Sequence, residues 1–198
     1  MSQTLKPSKY PPTDNATLIR PTKMPDYRRN RVPGGTYFFT VNLLERRGKL
    51  LTENIDLLRA VVIHTQKNIP FHIDAWVVLP DHMHCVWTLP INDDDYPARW
   101  KAIKTAFSRA LPKNERRSSV RMAKGERGIW QRRYWEHTIR SDKDYAAHID
   151  YVHINPVKHG LVNQVKDWPY STFHKLVDQG VYAEDWGGGI EGSLVYED

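Results

Sequence analysis

The stretch FHIDAWVVLPDHMHCVWTL (71–89) decides the fold. Its apolar runs, Phe71 to Leu79 and Met83 to Leu89, are parted by little more than Pro80-Asp81, so they read as two central strands joined by a tight hairpin. Upstream, Thr36 to Leu43 is β-branched and aromatic and begins after Gly34-Gly35, which predicts another strand. Between them, Ile55, Leu57, Leu58, Ala60, Val61, Val62 and Ile63 recur at helical spacing, with Asn54 or Thr52 as the cap and Pro70 as the stop. Downstream, Trp100, Ile103, Phe107 and Leu111 mark a second helix that Pro112 ends. A basic, apolar-poor stretch (113–128) reads as a mobile loop, and Trp130 to Ile139 as a fourth strand. Ser141 or Asp142 caps a third helix through Tyr145, Ile149, Val152 and Ile154, which Pro156 is expected to end or kink. The order β-α-β-β-α-β-α predicts an α+β domain close to the split βαβ arrangement, an antiparallel sheet with helices on one face.

Composition narrows the function. The 198 residues suffice for one domain with tails. The Pro-containing residues 1–26 read as a flexible leader, and residues from 165 as a Trp/Tyr-bearing extension. No apolar run is long enough for a spanning helix or a secretory signal, which predicts a soluble intracellular protein with no membrane partner. A single cysteine, Cys85, rules out an internal disulfide and a cysteine-built zinc site. Lys and Arg total 29 against 23 Asp and Glu, but the excess is uneven. Residues 1–50 hold 10 basic and 3 acidic side chains, and residues 99–140 hold 13 and 3. With 7 Trp, 10 Tyr and 5 Phe, these basic blocks point first to nucleic acid, the alternative being ordinary solvated faces. No phosphate-binding glycine loop, G-x-S-x-G elbow or H-E-x-x-H pair occurs.

Two constellations carry chemistry. His82 and His84 are two apart on a predicted strand, so both imidazoles face one side, as two neighbouring metal ligands must. The pattern alone equally suits one exposed and one hydrogen-bonded histidine. Tyr151 and Asn155 are four apart on the third predicted helix, so a phenol and an amide oxygen share a face. That suits a nucleophile beside a third metal ligand, and also a packed tyrosine near a helix end. Oxygen and nitrogen donors without thiolate favour Mg2+ or Mn2+, the imidazoles shifting the balance toward Mn2+. Arg28, Arg29 and Arg31 before Gly34-Gly35 could bring guanidinium groups and backbone amides to a phosphate, a solvated loop being the default. Glu136 and His137, beside Trp130, Tyr134 and Trp135, read as polar neighbours of an aromatic cluster rather than as a catalytic pair.

The segments YRRNRVPGGTYFFTVNL (27–43), AWVVLPDHMHCVWTLP (75–90), IWQRRYWEHTIR (129–140), DYAAHIDYVHINPVKHGLV (144–162) and DWPYSTFH (167–174) together resemble the REP-associated tyrosine transposases of the HUH nuclease superfamily. The resemblance implies a ferredoxin-like HUH core over 27–164 followed by a C-terminal extension. It implies His82 and His84 as metal ligands, Tyr151 as catalytic tyrosine, and Asn155 in the position of a relative's third ligand, a glutamine. It implies cleavage of single-stranded DNA at repetitive extragenic palindromes through a 5′-phosphotyrosine link, with recognition of a hairpin and an adjoining tetranucleotide, the alternative being a non-catalytic hairpin-binding or regulatory protein that retains the fold. Arg28, Arg29, Arg31, Gly34, Gly35, Arg132 and Arg133 are the expected DNA contacts. A cytoplasmic, nucleoid-associated protein, a monomer with a dimer as the alternative, completes the expectation.

Overall fold

A computed structural model describes residues 29–187. Arg28, the expected leader and residues 188–198 lie outside that range. The chain runs β1 (Thr36–Asn42), α1 (Leu50–Glu53), α2 (Ile55–Asn68), β2 (His72–Val78), β3 (His82–Thr88), α3 (Tyr96–Ala110), α4 (Ser119–Ala123), β4 (Trp135–Thr138), α5 (Asp142–Lys158) and α6 (Phe173–Asp178). The four strands form one antiparallel sheet in the order β2-β3-β1-β4. This is the split βαβ arrangement with β3 and β1 central.

Strand alternation divides the side chains into two layers. Tyr37, Phe39, Val41, Met83, Cys85 and Trp87 face α2 and α3, whose Leu58, Val62, Trp100, Ile103 and Phe107 complete the larger core. The Trp87 and Trp100 rings stack 4.1 Å apart there. Phe38, Ala75, Val77 and Val86 face the other way, against Ile149, Tyr151 and Val152 of α5. The expected placement of helices on one face therefore holds for α2 and α3 and fails for α5. Periodicity marks which side of a helix is apolar, but both faces of this sheet are apolar, so sequence spacing leaves the choice of layer open.

The Pro80-Asp81 hairpin forms, closed by Leu79 N–H donating to the His82 carbonyl at 2.9 Å. Pro80 and Asp81 carbonyls accept from Leu51 and Leu43, which fixes the turn against its surroundings. Ser141 caps α5 by accepting from Asp144 N–H, as expected. Asn54 precedes α2, but its side chain donates instead to the Leu50 carbonyl at 2.9 Å. The helix α5 runs through Pro156 to Lys158 and ends where Leu161 N–H reaches the Pro156 carbonyl and Gly160 adopts φ +64. The fourth strand is shorter than expected. Trp130 makes only a single bridge, to Leu43, and the Gln131 carbonyl is taken by Lys104 Nζ at 2.6 Å instead of by a neighbouring strand. Ser171 bridges Val77, and Thr172 N–H donates to the Trp76 carbonyl, so the extension covers the free edge of β2. No helix among the described residues is long and apolar enough to cross a membrane.

The basic stretch 113–128 is not featureless. It contains α4, and Arg127 draws it onto the end of α3. Arg127 donates to Glu115 at 2.5 and 2.9 Å and to the carbonyls of Ser108, Leu111 and Pro112, which the helix end leaves without intrahelical partners. The guanidinium pulls the Glu115 carboxyl down to about 2. Because the folded value lies below the ordinary one, this stabilisation is full above the ordinary carboxylate range and is lost as pH falls toward about 2. Arg127→Gln is therefore expected to raise the rate of tryptic cleavage between Arg116 and Lys124 by about 10–150-fold, since charge-assisted hydrogen bonds contribute about 1.5–3 kcal/mol. An unchanged rate would show that the anchor is dispensable.

Candidate active site

The site begins with β3. Its two-residue repeat sends His82 and His84 to the α5 side of the sheet, where both are buried. Each ring is fixed through Nδ1. His82 Nδ1 lies 2.7 Å from Asp81 Oδ1, and His84 Nδ1 lies 2.9 Å from Thr40 Oγ1 on β1. With Nδ1–H donating to these oxygens, both Nε2 atoms carry lone pairs, and neither has a hydrogen-bond partner. Burial lowers the proton affinity of His82, and that of His84 falls well below the ordinary value for the same reason, so both rings are held neutral. Burial opposes ionisation of Asp81, but hydrogen bonds from His82 and Arg46 keep its carboxyl below the ordinary range.

The helix α5 faces this pair. Tyr151, His84 and Phe38 form a ring cluster: Tyr151 lies 5.3 Å from His84 and 5.7 Å from Phe38, centroid to centroid. One turn on, Asn155 is buried with its Oδ1 unpartnered. One turn further, His159 lies 5.1 Å from the His82 ring. Positions 151, 155 and 159 thus follow one helix face running alongside His84 and His82, with Asn155 between the two contacts. Ligand atoms of His82, His84 and His159 all lie within 4.8 Å of one another. The Lys158 ammonium sits 4.8 Å from the Tyr151 ring centroid, where it favours negative charge developing on the phenol.

An orphaned buried acceptor costs about 1–3 kcal/mol. The two imidazole Nε2 atoms, on rings whose ligand atoms lie within 4.8 Å of one another and of His159, are what a divalent cation would satisfy, and the Asn155 amide oxygen is a third unpartnered acceptor on the facing helix. The residues present therefore fit a metal, with His159 as a further donor at the exposed side. His159 escaped sequence reasoning, although the four-residue series from Tyr151 through Asn155 passes through it. Asp81 and Thr40 escaped it too, because their role appears only once the strands are paired.

Of the expected DNA contacts, the described ones, Arg29, Arg31, Gly34, Gly35, Arg132 and Arg133, are not members of the His82, His84 and His159 group. Val32-Pro33-Gly34-Gly35 is a tight turn in which Gly34 takes φ +68. Gly34 N–H donates to the Asp93 carbonyl, between β3 and α3, and Gly35 N–H to the Val32 carbonyl within the turn, so both glycine amides expected at a phosphate already have backbone partners. A Cβ on Gly35 would stand 2.8 Å from the Val32 carbonyl, which explains the glycine. Arg31 lies 3.6 Å from Asp94 and 3.7 Å from Asp95. Arg29 lies over the Tyr134 ring at 4.5 Å and near Glu136. Arg132 pairs with Glu126, and Arg133 is exposed beside it. Lys104 joins this group, its Nζ 5.9 Å from the Trp130 ring and 5.8 Å from that of Tyr134. Burial, with Arg29 and Arg121 nearby, lowers its pKa to about 8.

A split βαβ sheet carrying a histidine pair opposite a helix-borne tyrosine defines the class of protein. No protein-family model matches the chain. It is 52% identical to the REP-associated tyrosine transposase of Escherichia coli over 167 residues, 84% of this chain and 93% of that protein. A Haemophilus influenzae protein described under the same family name is 50% identical over 166 residues, 83% of this chain and 94% of the relative. The solved structure of a REP-associated tyrosine transposase bound to a REP hairpin superposes with a TM-score of 0.75 at 50% identity, covering 88% of this chain and 98% of that one. The chain belongs to the REP-associated tyrosine transposase family.

Outer contacts that aim metal ligands typically change affinity by about 10–100-fold when removed. Thr40→Val and Asp81→Ala are each expected to weaken Mn2+ binding by about that factor in a calorimetric titration. Unchanged affinity in both variants would mean that the Nδ1 contacts do not aim the rings.

Proposed function

We propose that this protein is a metal-dependent endonuclease and strand transferase acting on single-stranded DNA that carries REP-type hairpins and an adjoining tetranucleotide. The observation that carries the reading is the three unpartnered buried acceptors, His82 Nε2, His84 Nε2 and Asn155 Oδ1, with the His84 ring 5.3 Å from that of Tyr151. Membership in a family whose solved relative is bound to a REP hairpin supports the hairpin as partner.

In this reading Tyr151 is the nucleophile. Its oxygen attacks a backbone phosphorus, the bond from phosphorus to O3′ breaks, the phenol proton is lost and the departing oxygen gains one. The products are a 5′-phosphotyrosine and a free 3′-hydroxyl. Attack by a 3′-hydroxyl on the phosphotyrosine rejoins DNA and restores the phenol. A divalent cation, Mg2+ or Mn2+, held by His82, His84 and Asn155 would polarise the phosphate and stabilise its developing charge. Lys158 favours charge on the phenol oxygen, and Phe38 packs against the Tyr151 ring and limits its rotation. One chain contributes every group named, so a monomer suffices. The substrate assigns the protein to the cytoplasm and its nucleoid.

Incubation with a labelled hairpin oligonucleotide and Mn2+ is expected to give a covalent adduct on a denaturing gel. Tyr151→Phe should abolish the adduct and the cut while binding persists, and chelation of the metal should do the same. Cleavage surviving in Tyr151→Phe, or binding with no cleavage by the wild type, would refute the nuclease.

A further inference from the structure

The α5 face of the sheet carries a second cluster, next to the candidate site but not part of it. His137 on β4 and Asp144 and His148 on α5 bring ligand atoms within 4.8 Å. Their present bonding argues for a clamp. His137 Nε2 lies 2.9 Å from Asp144 Oδ2, which also accepts from the Arg140 amide, and His148 Nδ1 donates to the Asp144 main-chain carbonyl at 2.8 Å. The carboxylate and the His148 Nδ1 proton are thus committed to holding two rings in place.

What they hold is a ladder. His137 stacks on His148 with centroids 4.7 Å apart and planes 15° from parallel. Trp135, two residues before His137 on the same face of β4, lies 6.0 Å from it with planes 7° from parallel. The three rings therefore step outward from buried His148 to the indole of Trp135, which is 43% exposed. The indole also meets Phe38 edge-on at 5.5 Å, and Phe38 in turn meets Tyr151 at 5.7 Å. An exposed tryptophan is thus held at a fixed tilt, one ring removed from the candidate nucleophile, on the edge strand of the sheet.

We propose that Trp135 is the stacking platform for one unpaired base of the DNA single strand beside the scissile phosphate, with the His137–Asp144–His148 clamp fixing its tilt. The inference deepens the single-strand reading above and rests on it. Flat indoles accept any base on their face, and each such stack contributes roughly 1–3 kcal/mol, or about 5–150-fold in affinity. Holding the ring in place beforehand lowers the ordering cost of binding.

The test uses the full chain carrying Tyr151→Phe, which binds without cutting. Two oligonucleotides are compared by fluorescence anisotropy: a REP-type hairpin alone, and the same hairpin with its unpaired tetranucleotide carrying 2-aminopurine. Adding Trp135→Ala is expected to remove about 5–150-fold of affinity for the extended oligonucleotide and to abolish quenching of the 2-aminopurine. Affinity for the hairpin alone should stay unchanged, which also reports that the variant is folded. Trp135→Phe should retain most of the quenching. Undiminished quenching and affinity in Trp135→Ala, or equal losses for both oligonucleotides, would overturn the platform. Failure of the Tyr151→Phe parent to bind either oligonucleotide would instead overturn the single-strand reading, and the platform with it.

Discussion

Two hydrogen bonds hold the site in its working form: Asp81 to His82 and Thr40 to His84, each through Nδ1. Each fixes a ring and turns a bare Nε2 into a buried space where no protein atom answers it. Asp81 can do this because the Pro80-Asp81 turn puts it next to the ring it holds, and the turn is tied by Leu43 and Leu51. Thr40 can because the register of β1 on β3 sets it opposite His84. The histidine pair is therefore a product of strand pairing as much as of its own two-residue spacing.

The two faces of the sheet divide the work. One is closed by α2, α3 and a dense set of aromatic rings, among them Trp87 on Trp100 and Phe39 on Trp100. Such pairs each contribute about 0.5–1.5 kcal/mol beyond the area they bury. This layer can carry the stability of the domain without any titratable group near the site. The other face holds α5 over a smaller apolar cluster, beside which His82 Nε2, His84 Nε2 and Asn155 Oδ1 lack partners; on the first face the unpartnered buried atoms are chiefly the indole N–H groups of Trp87, Trp100 and Trp130, with Glu136 Oε2. Leaving acceptors orphaned destabilises a fold, and a protein tolerates it where a ligand compensates.

Much of this was legible in the sequence because the decisive signals are short-range. A strand's alternation put His82 and His84 on one side, and a helix's turn put Tyr151 and Asn155 on one face. The order of elements yielded the split βαβ topology. What stayed hidden depends on which layers meet. The placement of α5 opposite α2 and α3 cannot be read from a helix whose target face is apolar on either side. His159 joins the site only because α5 passes through Pro156 to Lys158 and so presents His159 at its C-cap. The amides of Gly34 and Gly35 are open to a phosphate as a string, but the folded backbone gives them to Asp93 and Val32. Trp135 reads as core from its aromatic neighbours, yet β4 is an edge strand and leaves its indole partly open.

The most direct measurement is the anomalous diffraction of Mn2+ in crystals of the full chain. The account predicts one strong peak within coordinating distance of His82 Nε2, His84 Nε2 and Asn155 Oδ1, on the side of the site that Tyr151 faces. A peak that avoids these atoms, or rings turned so that Nε2 bonds to protein instead, would contradict it.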